Sequence, residues 1–170
     1  MNFKRILVAI NHSPLTSIVF DRALHLAQQG QANLMILHCL KDVAALQPLS
    51  QSGDRFGLYP YPSNTGFSQL LQDEMLQLEV EQAKAWLQEY SQKATALNIP
   101  TEYQHHVGEP GAMIISIAQQ WNADLIILGR HDQSAIAEFF TGSVSNYVVH
   151  HANCSVLVIK DNSSQLPGKP

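Results

Sequence analysis

Ile6-Leu7-Val8-Ala9-Ile10 is an apolar run with no polar residue inside it, and it stops at Asn11-His12-Ser13-Pro14. Residues 34–37, 125–128 and 156–159 form three more short runs of the same kind. A strand with one wet face alternates polar and apolar side chains. Uninterrupted runs that are mostly β-branched or Leu read instead as strands covered on both faces, as in parallel sheets. A fifth, weaker strand is expected at about Thr101–Val107, after Pro100.

The stretches between these runs carry helical spacing. Val19, Ala23, Leu26 and Ala27 form one stripe, and Leu76, Val80, Ala83, Leu87, Tyr90, Ala94 and Leu97 form a second. Ile114, Ile117, Ala118 and Trp121 form a third, and Val144, Tyr147 and Val148 a short fourth. The second stripe covers only about three heptads and its flanks lack a charge code, so a core-facing helix is expected over a coiled-coil seam. Strands alternating with helices predict an α/β domain: an open five-stranded parallel sheet with helices on both faces. Residues 1–160 read as one domain. Residues 41–68 hold Pro48, Pro60, Pro62, Gly53, Gly57 and Gly66 without any period, and read as a long loop. Residues 161–170 read as a polar tail that frays.

Composition narrows the function. Of 170 residues, 45 % are hydrophobic and 14 % charged, with 10 Lys+Arg against 14 Asp+Glu. The net charge of −4 lacks the basic field that nucleic-acid coating needs. The first apolar run is too short for a signal peptide or a membrane span. Cys39 and Cys154 read as reduced thiols, and the expected compartment is the cytoplasm.

In an open α/β sheet, ligands bind beyond the carboxyl ends of the strands. Asn11 follows the first run with an amide that both donates and accepts. Gly108 opens the turn after the third strand. Gly129-Arg130-His131-Asp132 follows the fourth, and Thr141-Gly142-Ser143-Val144-Ser145 opens the last helix. Two readings of that last block stand. Backbone N–H groups and the helix dipole near Gly142, with hydroxyls at Ser143 and Ser145, suit a phosphate; a Ser that simply caps a helix is the commoner arrangement. The pairs His105-His106 and His150-His151 place neighbouring side chains on diverging faces, so no metal site is expected. Trp86 and Trp121 fall in helical stripes and read as core.

Taken together, these segments resemble the universal stress protein family across about residues 2–160. The resemblance rests on Ile6-Leu7-Val8-Ala9-Ile10-Asn11, Val107-Gly108-Glu109-Pro110, Asp124-Leu125-Ile126-Ile127-Leu128-Gly129 and Gly142-Ser143-Val144-Ser145-Asn146-Tyr147-Val148. The closing His151-Ala152-Asn153-Cys154-Ser155-Val156-Leu157-Val158-Ile159 completes it. The resemblance implies a Rossmann-like fold of the adenine-nucleotide alpha-hydrolase kind and a stress-response regulator that binds AMP, ADP or ATP. The implied nucleotide site is Ala9, Asn11, Cys39, Gly108, Leu128, Gly129, Arg130, His131, Gly142, Ser143, Val144 and Ser145. Mg²⁺ is implied only with ATP.

The chain departs from the family's nucleotide-binding motif at two places. Asp132 stands where the motif has its second glycine, and Asn11 stands where the family has an acidic residue after its first strand. A carboxylate beside a polyphosphate is repulsive by about 1 kcal/mol at a screened 4 Å, so AMP or ADP is expected to bind at least as well as ATP. No Gly-x-x-x-x-Gly-Lys-Ser/Thr loop is present, and no carboxylate pair is placed to hold Mg²⁺ and orient water. An enzyme is therefore not expected beyond a very slow ATPase. A nucleotide-independent interaction module with a degenerate pocket is the alternative. The resemblance further implies a homodimer through Ser155–Lys160, and a downstream protein partner is expected; charge and run length give no reason to expect nucleic acid or membrane.

Overall fold

Five strands and four helices alternate along the described residues of the computed structural model, which cover 2–40, 65–130 and 144–160. They are β1 (Arg5–Ala9), α1 (Thr16–Gly30), β2 (Asn33–Leu40), α2 (Thr65–Thr95), β3 (Thr101–Val107), α3 (Pro110–Gln120), β4 (Leu125–Arg130), α4 (Val144–His151) and β5 (Ser155–Lys160). The strands form one sheet in the order β3-β2-β1-β4-β5, and every pairing is parallel. This is the open parallel sheet that the apolar runs predict, in the Rossmann-like form that the resemblance implies.

The run at 156–159 is not covered on both faces: β5 is an edge strand, with Leu157 exposed and Val156, Val158 and Ile159 only half-buried. The runs at 6–10, 34–37 and 125–128 lack alternation because both faces of the sheet are dry there. Ile6, Leu7 and Val8 are each 0 % exposed although successive side chains point to opposite sides. Ile6, Val8, Leu34, Ile36, Leu125 and Ile127 pack with Val19, Phe20, Ala23 and Leu87 of α1 and α2. Leu7, Met35, Leu37, Ile126 and Leu128 pack with Ile114, Ile117, Trp121 and Val148 of α3 and α4. β3 is the weaker strand in sequence because it lies at the sheet edge and is mostly half-buried or exposed.

The amino ends of the strands are tied by side chains. The Asp124 carboxylate accepts from the backbone N–H groups of Lys4 at 2.6 Å and Arg5 at 3.1 Å, which joins the starts of β1 and β4. The Arg5 guanidinium lies 4.3 Å over the Trp121 ring and donates to the Trp121 carbonyl. Trp121 Nε1 in turn donates to Glu102 Oε1 at 3.1 Å. This network fixes the end of the sheet opposite to the one where ligands are expected.

Two expectations need correction. The helix begins at Thr65, so residues 65–68 of the expected loop are helical; residues 41–64 and the tail 161–170 lie outside the described residues. The second stripe is also shorter than its spacing implies. Ala83, Leu87 and Ala94 are buried, but Leu97 is 44 % exposed, because α2 ends at Thr95 and the chain turns through Asn98 at φ 58°.

Candidate functional site

The chain runs from β1 outward through β2 and β3, then returns to the other side of β1 for β4. Connections that leave β1 and β4 toward opposite faces open a crevice between their carboxyl ends. A cavity of about 290 Å³ lies there, lined by Ala9, Asn11, Leu37, Cys39, Pro110, Ile114, Leu128, Gly129 and Val144. Two larger hollows lie at the opposite end. One of about 410 Å³ is lined by residues such as Asn122, Ala123 and Cys154, and one of about 470 Å³ by residues such as Gln31, Asn98 and Pro100. The smaller cavity is the one at the switch point and so is the candidate site.

Its rim is built by the turn after β1. Ile10 N–H donates to the Leu37 carbonyl at 2.9 Å, carrying the sheet ladder one residue past β1. The Asn11 carbonyl accepts from Ser13 N–H at 2.9 Å and from the Thr16 hydroxyl, and Thr16 N–H donates to the Ser13 carbonyl at 3.1 Å. These bonds tie the turn to the first turn of α1 and leave the exposed Asn11 side chain at the cavity edge. The opposite wall is the start of α3. Pro110 opens that helix, where a missing N–H removes no intrahelical bond, and Glu109 before it is extended at φ −70°, ψ 115°.

Cys39 belongs to the wall. Its Sγ lies 4.0 Å from the Pro110 carbonyl oxygen. Burial, aided by the nearby Glu109 carboxylate, pushes its thiol up to about 11. The group is therefore protonated at neutral pH and is a poor nucleophile.

Of the site residues expected from sequence, the structure brings Ala9, Asn11, Cys39, Leu128, Gly129 and Val144 around one cavity. Gly108 does not line it; it turns the chain after β3 at φ +146°, and its N–H donates to the Leu40 carbonyl. Arg130 ends β4 opposite Lys160 of β5, and Ser145 is buried in α4; neither lines the cavity. His131, Gly142 and Ser143 lie outside the described residues. Gly129 also has a packing reason for being glycine. A Cβ there would lie 3.1 Å from Val19 Cγ2 and 3.6 Å from Leu15 Cβ, so its absence lets α1 close on β4.

Leu37, Pro110 and Ile114 complete the lining and were not among the expected residues. Two of them sit in core-like apolar stretches and carry no chemical mark of a site. Pro110 was visible only as a helix opener. Among the described residues, the cavity has an apolar floor and one amide at its rim, which suits a flat ring with hydrogen-bonding groups along its edge. Elsewhere, His106 Nε2 pairs with Gln104 Oε1 at 3.1 Å while His105 interacts with Glu81 and Lys84 of α2.

Comparison with known proteins adds the following. The model of the universal stress protein family matches residues 59–160. A universal stress protein of Synechocystis is 36 % identical over 160 residues, which cover 94 % of this chain and 99 % of that protein. The structure of the universal stress protein UspA from Lactobacillus plantarum superposes with a TM-score of 0.69 at 27 % identity, covering 94 % of this chain and 99 % of that one. A universal stress protein family member from Arabidopsis thaliana, solved with AMP bound, superposes with a TM-score of 0.59 at 18 % identity, covering 98 % and 97 % of the two chains. That last likeness concerns the fold.

Proposed function

Because the chain belongs to the universal stress protein family, we propose that its cavity holds an adenine nucleotide and that the protein acts as a dimeric stress-response regulator. One observation carries the nucleotide reading: an apolar cavity sits at the β1/β4 switch point with the Asn11 amide on its rim. Its volume, about 290 Å³, lies just below the range for ligand pockets, roughly 300–1,000 Å³. The Arabidopsis relative of this fold was solved with AMP.

In this reading the adenine ring rests among Leu37, Cys39, Ile114 and Leu128. Asn11 hydrogen-bonds the base edge or a ribose hydroxyl. The backbone around Gly142, Ser143 and Val144 receives the phosphate, with Ser145 following in the same helix. Arg130 and His131 offset the carboxylate of Asp132, which disfavours a triphosphate more than a monophosphate. Mg²⁺ accompanies ATP alone. Cys39 lines the pocket and is no nucleophile, since its thiol stays protonated, and a very slow ATPase is the most catalysis this reading allows.

Two further parts of the reading concern assembly and place. β5 is an edge strand whose Leu157 is 37 % exposed, and an uncovered apolar edge favours pairing with a second copy. Two free cysteines suit the cytoplasm. The competing reading, a nucleotide-independent interaction module, draws on Asn11 and Asp132, which replace the family's acidic residue and glycine.

Mass spectrometry of gently denatured purified protein separates the two. Copurified AMP, ADP or ATP supports the nucleotide reading. Protein that emerges empty and stays empty after incubation with AMP supports the module.

A further inference from the structure

Beneath the Asn11 turn, on the α1/α2 face of the sheet, the imidazole of His38 is 4 % exposed. Its Nδ1 lies 2.9 Å from the Ile10 carbonyl oxygen. A carbonyl has no proton to give, so Nδ1 carries the proton and donates. Nε2 is left as a bare acceptor, and among the described residues it has no partner. Two rings enclose it edge-on, His12 at 5.3 Å and Trp86 at 5.2 Å between centroids. His12 and Trp86 also pack on each other at 4.2 Å. His12 is the neighbour of Asn11, so this box of rings anchors the site's rim to α2.

Among the described residues, the titratable groups that face His38 oppose a second proton. His12 faces it from the turn after β1, and His105 from β3, where it is the register partner of His38. From α2 the facing ring is Trp86, which does not titrate. The α2 charges Glu81 and Lys84 pair with each other at 2.8 Å and act on His105. Burial lowers the affinity of His38 for a proton further, with the Ile10 bond pulling the other way.

We propose that His38 is a positioning residue for the nucleotide site: its neutral ring holds the Asn11 turn in place, and a second proton on Nε2 releases that turn. The nucleotide part rests on the reading of the cavity given above. Protonation would put an N–H where no partner lies within hydrogen-bond distance among the described residues, an arrangement that a buried polar group does not tolerate. The Nδ1–H bond to the Ile10 carbonyl survives protonation, so the strain is relieved when His12 leaves Trp86 and opens Nε2–H to water. That movement displaces the residue next to Asn11. Acid then weakens the site by acting on its rim from outside the cavity.

The test uses the full chain without ligand first. ¹H–¹⁵N spectra recorded from about pH 7.5 to about pH 5.5 are expected to show the Asn11 and Ser13 amides moving with the same midpoint as the His38 ring, below the ordinary histidine value. In His38→Asn, whose amide N–H stands in for Nδ1–H and does not titrate, those amides lose the component that follows the His38 midpoint. Amides that ignore a titrating His38 ring overturn the proposal, and so does a ring that titrates at or above the ordinary value. The wild-type series decides this even where the variant fails to fold. Adenosine, which has no phosphate to titrate, is then expected to bind at least about fivefold more weakly at the acid end, with His38→Asn indifferent to pH. If neither adenosine nor AMP binds at any pH, the nucleotide reading falls, and the amide series still decides the role of His38.

Discussion

Gly111 of α3 and Tyr147 of α4 meet so closely that a Cβ on Gly111 would lie 2.8 Å from Tyr147 Cδ1 and 3.0 Å from its Cγ. The Tyr147 ring is also stacked on His151 at 4.0 Å. This contact sets the spacing of two helices whose first residues, Pro110 and Val144, both line the candidate site.

Gly111→Ala therefore combines two opposed effects. A helical Ala gains about 0.5–1 kcal/mol over Gly. Overpacking against the base of a held ring costs about 1–3 kcal/mol. The expected outcome is a net loss of about 1 kcal/mol in urea unfolding, together with weaker nucleotide binding as α4 moves outward. A stabilised variant with unchanged binding would show that Tyr147 simply swings away.

Cys39 is expected to resist alkylation. With its thiol pushed up to about 11, only about one part in a thousand is thiolate at pH 8. In a Cys154→Ser background, its reaction with a disulfide reagent at that pH should be at least about tenfold slower than that of a free thiol of ordinary acidity. Bound AMP should slow it further. Rapid reaction, insensitive to AMP, would take Cys39 out of the cavity wall.

The proposed pairing through β5 can be tested with a surface charge. Val158 packs partly on the core formed with α3 and α4, so a change there mixes association with folding. Leu157 is 37 % exposed and is the cleaner position. Leu157→Lys is expected to shift the protein from dimer to monomer in analytical ultracentrifugation while leaving AMP binding unchanged. A dimer that persists would move the interface elsewhere.

The fold was legible because its core strands are buried on both faces, which turns residues 6–10, 34–37 and 125–128 into unbroken apolar runs. The start of α2 was not. Leu70, Leu71, Met75 and Leu78 are exposed, so a search for a core-facing stripe begins only at Leu76 and leaves residues 65–68 in the loop. In the site, Asn11 could be read because it ends the first apolar run at the carboxyl end of its strand, and Gly129 because a glycine ends the run at 125–128 near the same end of the sheet. Leu37 and Ile114 could not, since their sequence environment matches that of any core residue. His38 gave no signal at all, as its isolation from partners is a property of packing and not of spacing.

Calorimetric titration of the full chain with AMP tests the central claim most directly, with Ala9→Phe as the control in which a larger side chain fills the cavity. We expect one saturable site per chain in the wild-type protein and its loss in Ala9→Phe, with the fold retained. No heat from AMP, ADP, ATP or adenosine, or equal binding by Ala9→Phe, would contradict the assignment of this cavity to a nucleotide.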